Sequence, residues 1–262
     1  MIDTHCHILP MCDDGPEDWE RSMEMAAEAV KQGITDILAT PHHGKSSYLN
    51  WPGKIDRLAA QLNDRLAAGG IALTVWPGQE YHLGAGRGGN PGAIRPLGGS
   101  RYVLIELPSR ETPRAWRSAL RAIRQSGYVP IVAHPERHLP FQRHPDRLGE
   151  WRDEGACFQL TAPSLLGDYG QAVQHAARRM ARYGWYHLVA SDAHDTGRRS
   201  FKLREACRAL ADLCGSDVRD LLLANSAKLL AGGTMSSGEQ AKFQARPLFR
   251  FLSRRRTETR EE

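Results

Sequence analysis

The chain begins "MIDTHCHILP" (residues 1–10), a β-rich apolar run that contains two histidines, His5 and His7. Side chains at positions i and i+2 of a strand lie on the same face, so these two imidazoles point the same way. A buried strand gains nothing from two adjacent imidazoles unless a ligand binds between them. The stretch therefore predicts a first strand that ends in a binding site, with Cys6 facing the other way as a packed thiol.

Six further apolar, β-rich runs follow at regular intervals, and a helical pattern separates most neighbours. The runs are "ITDILAT" (34–40), "IALTVWP" (71–77), "RYVLIEL" (101–107), "YVPIVAH" (128–134), "ACFQLTA" (156–162) and "YHLVASD" (186–192). We expect helices near 17–32, 52–68, 113–126, 144–154, 170–183 and 200–214, several of which precede a glycine typical of a helix end. Seven alternations with near-continuous apolar strands predict a parallel sheet in an α/β fold, specifically a (β/α)7-like, distorted TIM-type barrel.

The strand ends provide a test of this fold, because barrel chemistry lies where the strands end and the βα loops begin. Six of the seven predicted strand ends present histidine, aspartate or glutamate. These residues are His5, His7, Asp13 and Asp14 at the first strand, His42 and His43 at the second, Glu80 and His82 at the third, Glu106 at the fourth, His134 at the fifth, and Asp192 and His194 at the seventh. Such convergence is typical of a catalytic rim.

Imidazoles and carboxylates without thiolates suit divalent zinc, manganese or iron. The set exceeds the needs of one ion and favours two or three bridged ions, which activate water as hydroxide and hydrolyse a phosphate ester. Glu106 interrupts an apolar run, where an unpaired carboxylate is costly, and this indicates a cation partner. We expect His43 to face away from the ions, because its neighbour His42 faces them, and we expect His82 to lie outside the site.

Six motifs in order resemble those of the PHP (polymerase and histidinol phosphatase) superfamily. They are "DTHCHILP…DDGP", "ATPHH", "GQE", "LIELP", "AHPER" and "SDAH", and the first and fourth resemble the bacterial tyrosine-protein phosphatase branch of the CpsB/YwqE type. The resemblance covers residues 1–232, which we interpret as one PHP domain. It implies a PHP fold with a trinuclear site, usually manganese, with iron or zinc as alternatives. The ligands that it implies are His5, His7, Asp14, His42, Glu80, Glu106, His134, Asp192 and His194.

The same resemblance implies that Arg137 and Arg199 bind substrate phosphate, and a guanidinium fork suits this role. We expect the neighbouring Arg198 to be solvated. The implied activity is that of a metal-dependent protein-tyrosine-phosphatase, a phosphoric monoester hydrolase. The implied partner is a phosphotyrosine protein, chiefly a bacterial tyrosine kinase that regulates capsule and exopolysaccharide synthesis. The glycine-rich stretch 83–99 departs from the more helical pattern of the family, which leaves substrate selection open.

Alternative functions stay open at this point. One is another PHP phosphoesterase, either a small-molecule phosphatase of the histidinol-phosphate type or a nuclease, and another is a non-catalytic metal-binding regulatory module. A thiolate-based phosphatase is excluded, because no cysteine is followed by arginine in the spacing Cys-x5-Arg. A phosphate-binding P-loop at "ATPHHGKS" is disfavoured, since Ala39 replaces its first glycine.

Composition sets the remaining expectations. Of the net charge of +5, three charges lie in residues 233–262, which we interpret as a basic, flexible tail with at most weak peripheral membrane contact. The mildly basic remainder suits an anionic substrate without indicating nucleic acid. Neither a transmembrane run nor a signal peptide is evident, which favours the cytoplasm. Five scattered cysteines argue against a disulfide framework.

Overall fold

The computed structural model describes residues 1–84, 91–108 and 116–236. Within these residues the strands are β1 (Ile2–Cys6), β2 (Asp36–Ala39), β3 (His42–His43), β4 (Thr74–Pro77), β5 (Glu80–His82), β6 (Tyr102–Glu106), β7 (Val129–Ala133), β8 (Cys157–Thr161) and β9 (Leu188–Ala190). The helices are α1 (Trp19–Lys31), α2 (Pro52–Ala68), α3 (Arg117–Gln125), α4 (Leu139–Arg143), α5 (Arg147–Asp153), α6 (Ala162–Leu166), α7 (Gln171–Arg182), α8 (Leu203–Cys214) and α9 (Ser216–Leu230). Short 3-10 helices cover Pro91–Ala93 and Pro135–Arg137.

Every strand pairing is parallel, in the orders β1-β2-β4 and β3-β5-β6-β7-β8-β9. The predicted second strand is observed as β2, and an additional short strand, β3, follows it after Thr40 and Pro41. The predicted third strand is observed as β4, and an additional short strand, β5, follows it after Gly78 and Gln79. Pro41 lacks the N–H that a ladder requires, which accounts for the separation of β3 from β2. The α/β fold with parallel strands is thus confirmed, and residues just beyond the second and third predicted strands pair as two additional short strands.

The first and last strands meet beyond their carboxyl ends. Cys6 and Ala193 form a parallel bridge, and the Asp192 N–H donates to the His5 carbonyl at 2.9 Å. The His7 N–H donates to the Ala193 carbonyl, also at 2.9 Å. These contacts bring the ends of β1 and β9, which are almost 190 residues apart, to the same edge of the molecule.

Buried apolar residues form two clusters. The larger one packs the strands against the surrounding helices and includes Met25, Ile55, Phe158 and Leu210. The smaller one lines the other face of the strands and consists of Leu38, Leu97, Tyr102, Leu104, Ile131, Ala133, Leu188, Leu229 and Met235. The strands are therefore buried on both faces, as their continuous apolar sequences predict.

Local sequence accounts for the helix boundaries. The Asp18 side chain accepts from the Arg21 N–H at 2.8 Å and caps α1, and Gly33 follows the helix with φ of 80°. The expected helices at 17–32, 52–68, 144–154, 170–183 and 200–214 are confirmed to within three residues at each end. The described part of the helix expected at 113–126 is α3.

Residues 233–236 pack against the folded chain, although we had interpreted them as the start of a tail. The Met235 side chain is buried in the smaller cluster, and its N–H donates to the Tyr102 hydroxyl at 3.0 Å. Asn225 exchanges two hydrogen bonds with the Ser236 backbone, at 3.0 and 2.9 Å. The rest of the expected tail, 237–262, and residues 85–90 of the glycine-rich stretch lie outside the described residues.

The remaining part of the glycine-rich stretch is packed. Leu83, Ala93, Ile94 and Leu97 are all buried. Among the described residues, no helix is both long and apolar enough to cross a membrane.

Candidate metal centre

All nine ligands implied by the sequence come together at the carboxyl ends of the strands. Eight of them are buried, and Asp14 is exposed. Their donor atoms form four groups in which all atoms lie within 4.8 Å of one another. The groups are His5 with His7 and Glu80; His5 with His134 and Asp192; His42 with Glu80 and Glu106; and His7 with Asp14, His42 and His194.

The question raised by the first strand is answered by the tautomers of its two histidines. His5 Nδ1 lies 2.7 Å from Gln159 Oε1, and His7 Nδ1 lies 2.7 Å from Asp13 Oδ2. Both partners are acceptors, so each Nδ1 carries a proton, and in the neutral form that binds a metal each ring would present a bare Nε2. These two Nε2 atoms face each other at 3.2 Å. Two lone pairs at that distance repel each other unless a cation lies between them.

Two carboxylates flank this pair of histidines, and Glu80 forms a donor group with both of them. Glu80 Oε2 lies 3.4 Å from both His5 Nε2 and His7 Nε2, and Asp192 Oδ1 lies 3.3 and 3.5 Å from the same atoms. Tetrahedral coordination with bonds of about 2.1 Å separates neighbouring donor atoms by about 3.4 Å. The donor atoms of His5, His7 and Glu80, which lie 3.2 to 3.4 Å from one another, therefore fit a divalent ion in spacing as well as in chemistry.

Glu80 lies at the centre of the cluster and is fully buried. His134 Nε2 is 2.9 Å from its Oε1, and His42 Nδ1 is 2.8 Å from its Oε2. Burial alone raises the pKa of Glu80, but the charges of His5 and His42 outweigh it and lower the pKa well below its usual range. Glu80 is therefore a carboxylate at neutral pH.

Several buried donor atoms of the site have no hydrogen-bond partner of good geometry among the described residues. These atoms are His42 Nδ1, Glu80 Oε2, Glu106 Oε2 and His194 Nε2. Unsatisfied buried polar atoms are costly, and in native proteins they require a water, an ion or a functional reason. Their concentration among the nine implied ligands indicates that the residues present fit a metal cluster.

Two of the ligands adopt strained backbone conformations. His134 has φ of 33° and Asp192 has φ of 55°, both in the left-handed region. Non-glycine residues persist there only when the surrounding structure enforces it, and such strain concentrates at functional sites. The conformation turns each side chain from the end of its strand into the cluster.

The two predicted phosphate-binding arginines lie at the edge of the cluster. Arg137 Nη1 donates to Asp192 Oδ2 at 2.7 Å, and Arg199 Nη1 donates to Asp14 Oδ2 at 2.8 Å. Burial raises the pKa of Asp192, but His5 and then Arg137 outweigh it and hold this pKa far below its usual range. Arg198 is exposed, as expected.

The site also contains Gln159 and Lys45, which the sequence did not indicate, and Asp13, which was expected at the strand ends but not as a metal ligand. Gln159 and Asp13 set the tautomers of His5 and His7, and Lys45 Nζ lies 2.8 Å from Glu106 Oε1 and 3.2 Å from His42 Nε2. Asp13 is the first residue of "DDG", and its side chain also accepts from the His42 N–H at 2.8 Å. Gln159 carried no such signal, because a single amide within an apolar strand has no periodic or motif context.

The residues expected to lie outside the ion cluster do so. His43 Nδ1 lies 3.0 Å from the Asn50 carbonyl, and its ring packs against Trp51 and Tyr81. His82 belongs to none of the four groups and accepts from the Gly84 N–H at 3.1 Å. Cys6 is a buried free thiol. A cavity of about 260 Å³ opens beside Asp14 and His194, and one of about 90 Å³ opens beside Glu106 and Arg137.

Parallel strands whose carboxyl ends gather histidine and carboxylate donors define an α/β protein of the metal-binding class. The chain belongs to the family "Capsular polysaccharide synthesis, CpsB/CapC", whose profile matches residues 1–231.

Named relatives and solved structures agree with this membership. The chain is 38% identical to "Tyrosine-protein phosphatase YwqE" of Bacillus subtilis over 96% of this chain and 100% of the relative. It is 35% identical to "Putative tyrosine-protein phosphatase CapC" of Staphylococcus aureus over 78% of this chain and 81% of the relative. A solved structure described as "YwqE from Bacillus subtilis and CpsB from Streptococcus pneumoniae, unique metal-dependent tyrosine phosphatases" has a TM-score of 0.84 at 37% identity, covering 90% of this chain and 97% of the other.

A more distant structure supports the fold alone. The lactonase Lmo2620 of Listeria monocytogenes has a TM-score of 0.54 at 12% identity, with coverage of 90% of this chain and 95% of the lactonase.

Proposed function

We propose that this protein is a metal-dependent protein-tyrosine-phosphatase. The observation that carries the proposal is the pair of Nε2 atoms of His5 and His7, 3.2 Å apart and close to the carboxylates of Glu80 and Asp192. Membership of the CpsB/CapC family, together with the names of the relatives, supports phosphotyrosine as the substrate. Divalent ions held by this cluster supply Lewis acidity and bring the pKa of water near neutrality.

The nine clustered side chains, His5, His7, Asp14, His42, Glu80, Glu106, His134, Asp192 and His194, are the proposed ligands. Their four overlapping donor groups support more than one ion, and we propose three, with manganese as the metal and iron or zinc as alternatives. Glu80 belongs to two of these groups, and Asp192 Oδ1 also lies 3.5 Å from His7 Nε2 and 3.7 Å from His194 Nδ1, outside its own group, so either carboxylate could contact more than one ion.

Arg137 and Arg199 are the proposed phosphate-binding residues. Each guanidinium donates one N–H to a carboxylate of the cluster. Because arginine has five donor hydrogens, others remain that can bind a ligand. A phosphoryl group at the cluster would thus meet two fixed positive charges that offset the charge developing in the transition state.

The substrate that we propose is phosphotyrosine in a protein, chiefly a bacterial tyrosine kinase that regulates capsule or exopolysaccharide synthesis, and the compartment is the cytoplasm. The family description supports the polysaccharide context. We also propose a (β/α)7-like barrel in a PHP domain of residues 1–232. The contacts between β1 and the segment after β9, and the match to residues 1–231, support these two proposals.

The double variant His5→Ala/His7→Ala tests the function. We expect it to remain folded by circular dichroism but to lose bound metal in elemental analysis and to lose hydrolysis of a phosphotyrosyl peptide. Histidinol phosphate and single-stranded DNA serve as competing substrates for the wild-type protein. Preference for either of these over the peptide, or wild-type turnover by the double variant, would contradict the proposal.

A further inference from the structure

Tyr169 lies in a short loop between α6 and α7 that reaches the edge of the metal centre. The glycines at both ends of this loop, Gly167 and Gly170, have φ of 101° and 91°, values that favour glycine. Asp168 pairs with Lys202 Nζ at 2.6 Å, and the N–H groups of Gly167 and Asp168 both donate to the Pro163 carbonyl at 3.0 Å. The loop is therefore fixed, and so is the position of Tyr169.

The ring of Tyr169 contacts one of the proposed phosphate-binding residues. The Arg137 guanidinium carbon lies 4.9 Å from the ring centroid, within the range of a cation–π interaction. The same guanidinium donates to Asp192, so Arg137 is held between an aromatic face and a carboxylate. This contact depends on the ring and not on the hydroxyl.

The hydroxyl of Tyr169 is buried, and Arg199 lies within hydrogen-bonding reach of its oxygen; because arginine can only donate, the hydroxyl proton still has no acceptor of good geometry among the described residues. Burial first, and then the charge of Asp192, raises the pKa of the phenol, although Arg137 and Arg199 lie close enough to oppose this. The hydroxyl therefore keeps its proton at neutral pH and is available as a donor. A buried donor without an acceptor costs free energy that a suitably placed ligand oxygen restores.

We propose that Tyr169 is a further substrate-binding residue, whose hydroxyl donates a hydrogen bond to a phosphoryl oxygen that Arg137 and Arg199 also bind. The inference rests on the proposed phosphatase function and adds a neutral donor to its two cationic groups. A phosphoryl group has several acceptor oxygens, so three donors can bind it together.

The variant Tyr169→Phe removes the hydroxyl and keeps the ring under Arg137. The matched control is Tyr183→Phe, because the ring of Tyr183 also contacts an arginine, Arg179. Tyr183 differs in that it is exposed and follows the far end of α7, a helix of 12 residues that is about 18 Å long. The measurements are the inhibition constant of inorganic phosphate against p-nitrophenyl phosphate and the calorimetric affinity of the manganese-loaded protein for inorganic phosphate. Metal content and melting temperature report on structure.

We expect Tyr169→Phe to weaken phosphate binding about tenfold in both assays, the scale of one hydrogen bond to a charged ligand, with metal content and melting temperature unchanged. Tyr183→Phe should behave as the wild type. Unchanged phosphate affinity in Tyr169→Phe, or no phosphate binding to the wild type, would overturn the proposal. Failure of the wild type to hydrolyse a phosphotyrosyl peptide would contradict the phosphatase function alone, because the calorimetric comparison still tests Tyr169.

Discussion

Gln159 orients the ring of His5, one of the proposed metal ligands. Its Oε1 accepts from His5 Nδ1, and its Nε2 donates to Thr4 Oγ1 at 2.9 Å, which fixes the orientation of the amide. Partners of this kind commonly change metal affinity by about 10- to 100-fold when they are removed.

We expect Gln159→Leu to lower metal affinity by at least about tenfold, because His5 can then rotate or present the wrong nitrogen. Gln159→Glu is the matched control, since its carboxylate also accepts from Nδ1 and should retain tight binding. Competition with a chromogenic chelator measures both variants. Equal affinities for the leucine variant and the wild type would show that Gln159 does not orient His5.

The adjacent histidines of β3 offer a second test at the same scale. His42→Gln removes a donor shared by two of the four groups, so we expect the ratio of metal to protein to fall. His43→Gln should keep its metal and lower the free energy of unfolding by about 1 kcal/mol, because only the contacts to Asn50, Trp51 and Tyr81 are disturbed. Elemental analysis and thermal melts separate the two outcomes; loss of metal in both variants would contradict the assignment.

Sequence reasoning found ligands more readily than the residues that orient them. His5 and His7 are visible because the alternation of a strand places them on one face, and Glu106 because it interrupts an apolar run. Gln159 contacts His5 across 154 positions of sequence, and this contact exists only because β8 and β1 approach each other in the folded chain. Tyr169 depends in the same way on a loop whose course no local pattern determines.

At the scale of elements, alternation and glycine positions predicted the strands and most helices. The short strands β3 and β5 were not predicted, because they lie beyond the continuous apolar runs, and Pro41, which lacks an N–H, separates β3 from β2. The helix α9 was not among those expected from periodicity, and its buried face includes the polar residues Asn225 and Ser226. Asn225 is buried because it bonds the His187 and Ser236 backbones, a requirement of tertiary structure and not of helix periodicity.

His187, at the start of β9, makes the pairing of two strands dependent on pH. Its N–H donates to the Phe158 carbonyl at 2.9 Å, and its Nδ1 accepts from the Phe158 N–H at 3.2 Å. Burial lowers the pKa of His187 to about 4 from its ordinary 6.5. The unfolded chain therefore binds more protons than the folded chain between these values, and the stability contribution is complete above pH 6.5 and lost as the pH falls towards 4.

We expect His187→Gln to reduce the loss of unfolding free energy between pH 7 and 4 by up to about 3 kcal/mol, since glutamine can accept from Phe158 without titrating. Urea denaturation of the metal-free wild type and variant over this range measures the difference, and the remaining titrating groups are common to both. Parallel pH profiles for the two proteins would contradict the assignment.

At the scale of the whole molecule, the parallel strands and the clustering of histidines and carboxylates at one edge agree with the sequence expectation, whereas the end of the folded unit is visible only in the structure. Gly233 follows the end of α9 and is typical of a linker in sequence, yet the residues after it pack against the strands. Met235 packs with Leu97, Tyr102 and Leu229, and Lys228 Nζ donates to Ser236 Oγ at 2.9 Å. A composition shift marks where a helix ends, but it does not reveal whether the following residues are bound.

Two truncations locate this boundary. A chain ending at Ser236 keeps the Met235 contacts, so we expect its melting temperature and its hydrolysis of p-nitrophenyl phosphate to match those of the full chain. A chain ending at Gly232 loses the burial of one methionine and the hydrogen bonds to Tyr102 and Asn225, worth about 3 kcal/mol together. That loss lowers the melting temperature by roughly 6 to 12 °C for a domain of this size.

Because this contact lies at the opposite ends of the strands from the metal centre, the shorter chain should still bind metal and hydrolyse the aryl phosphate below its melting temperature. Equal melting temperatures for the two truncations would place the boundary at residue 232, whereas destabilisation of the chain ending at Ser236 would mean that residues beyond it belong to the folded unit.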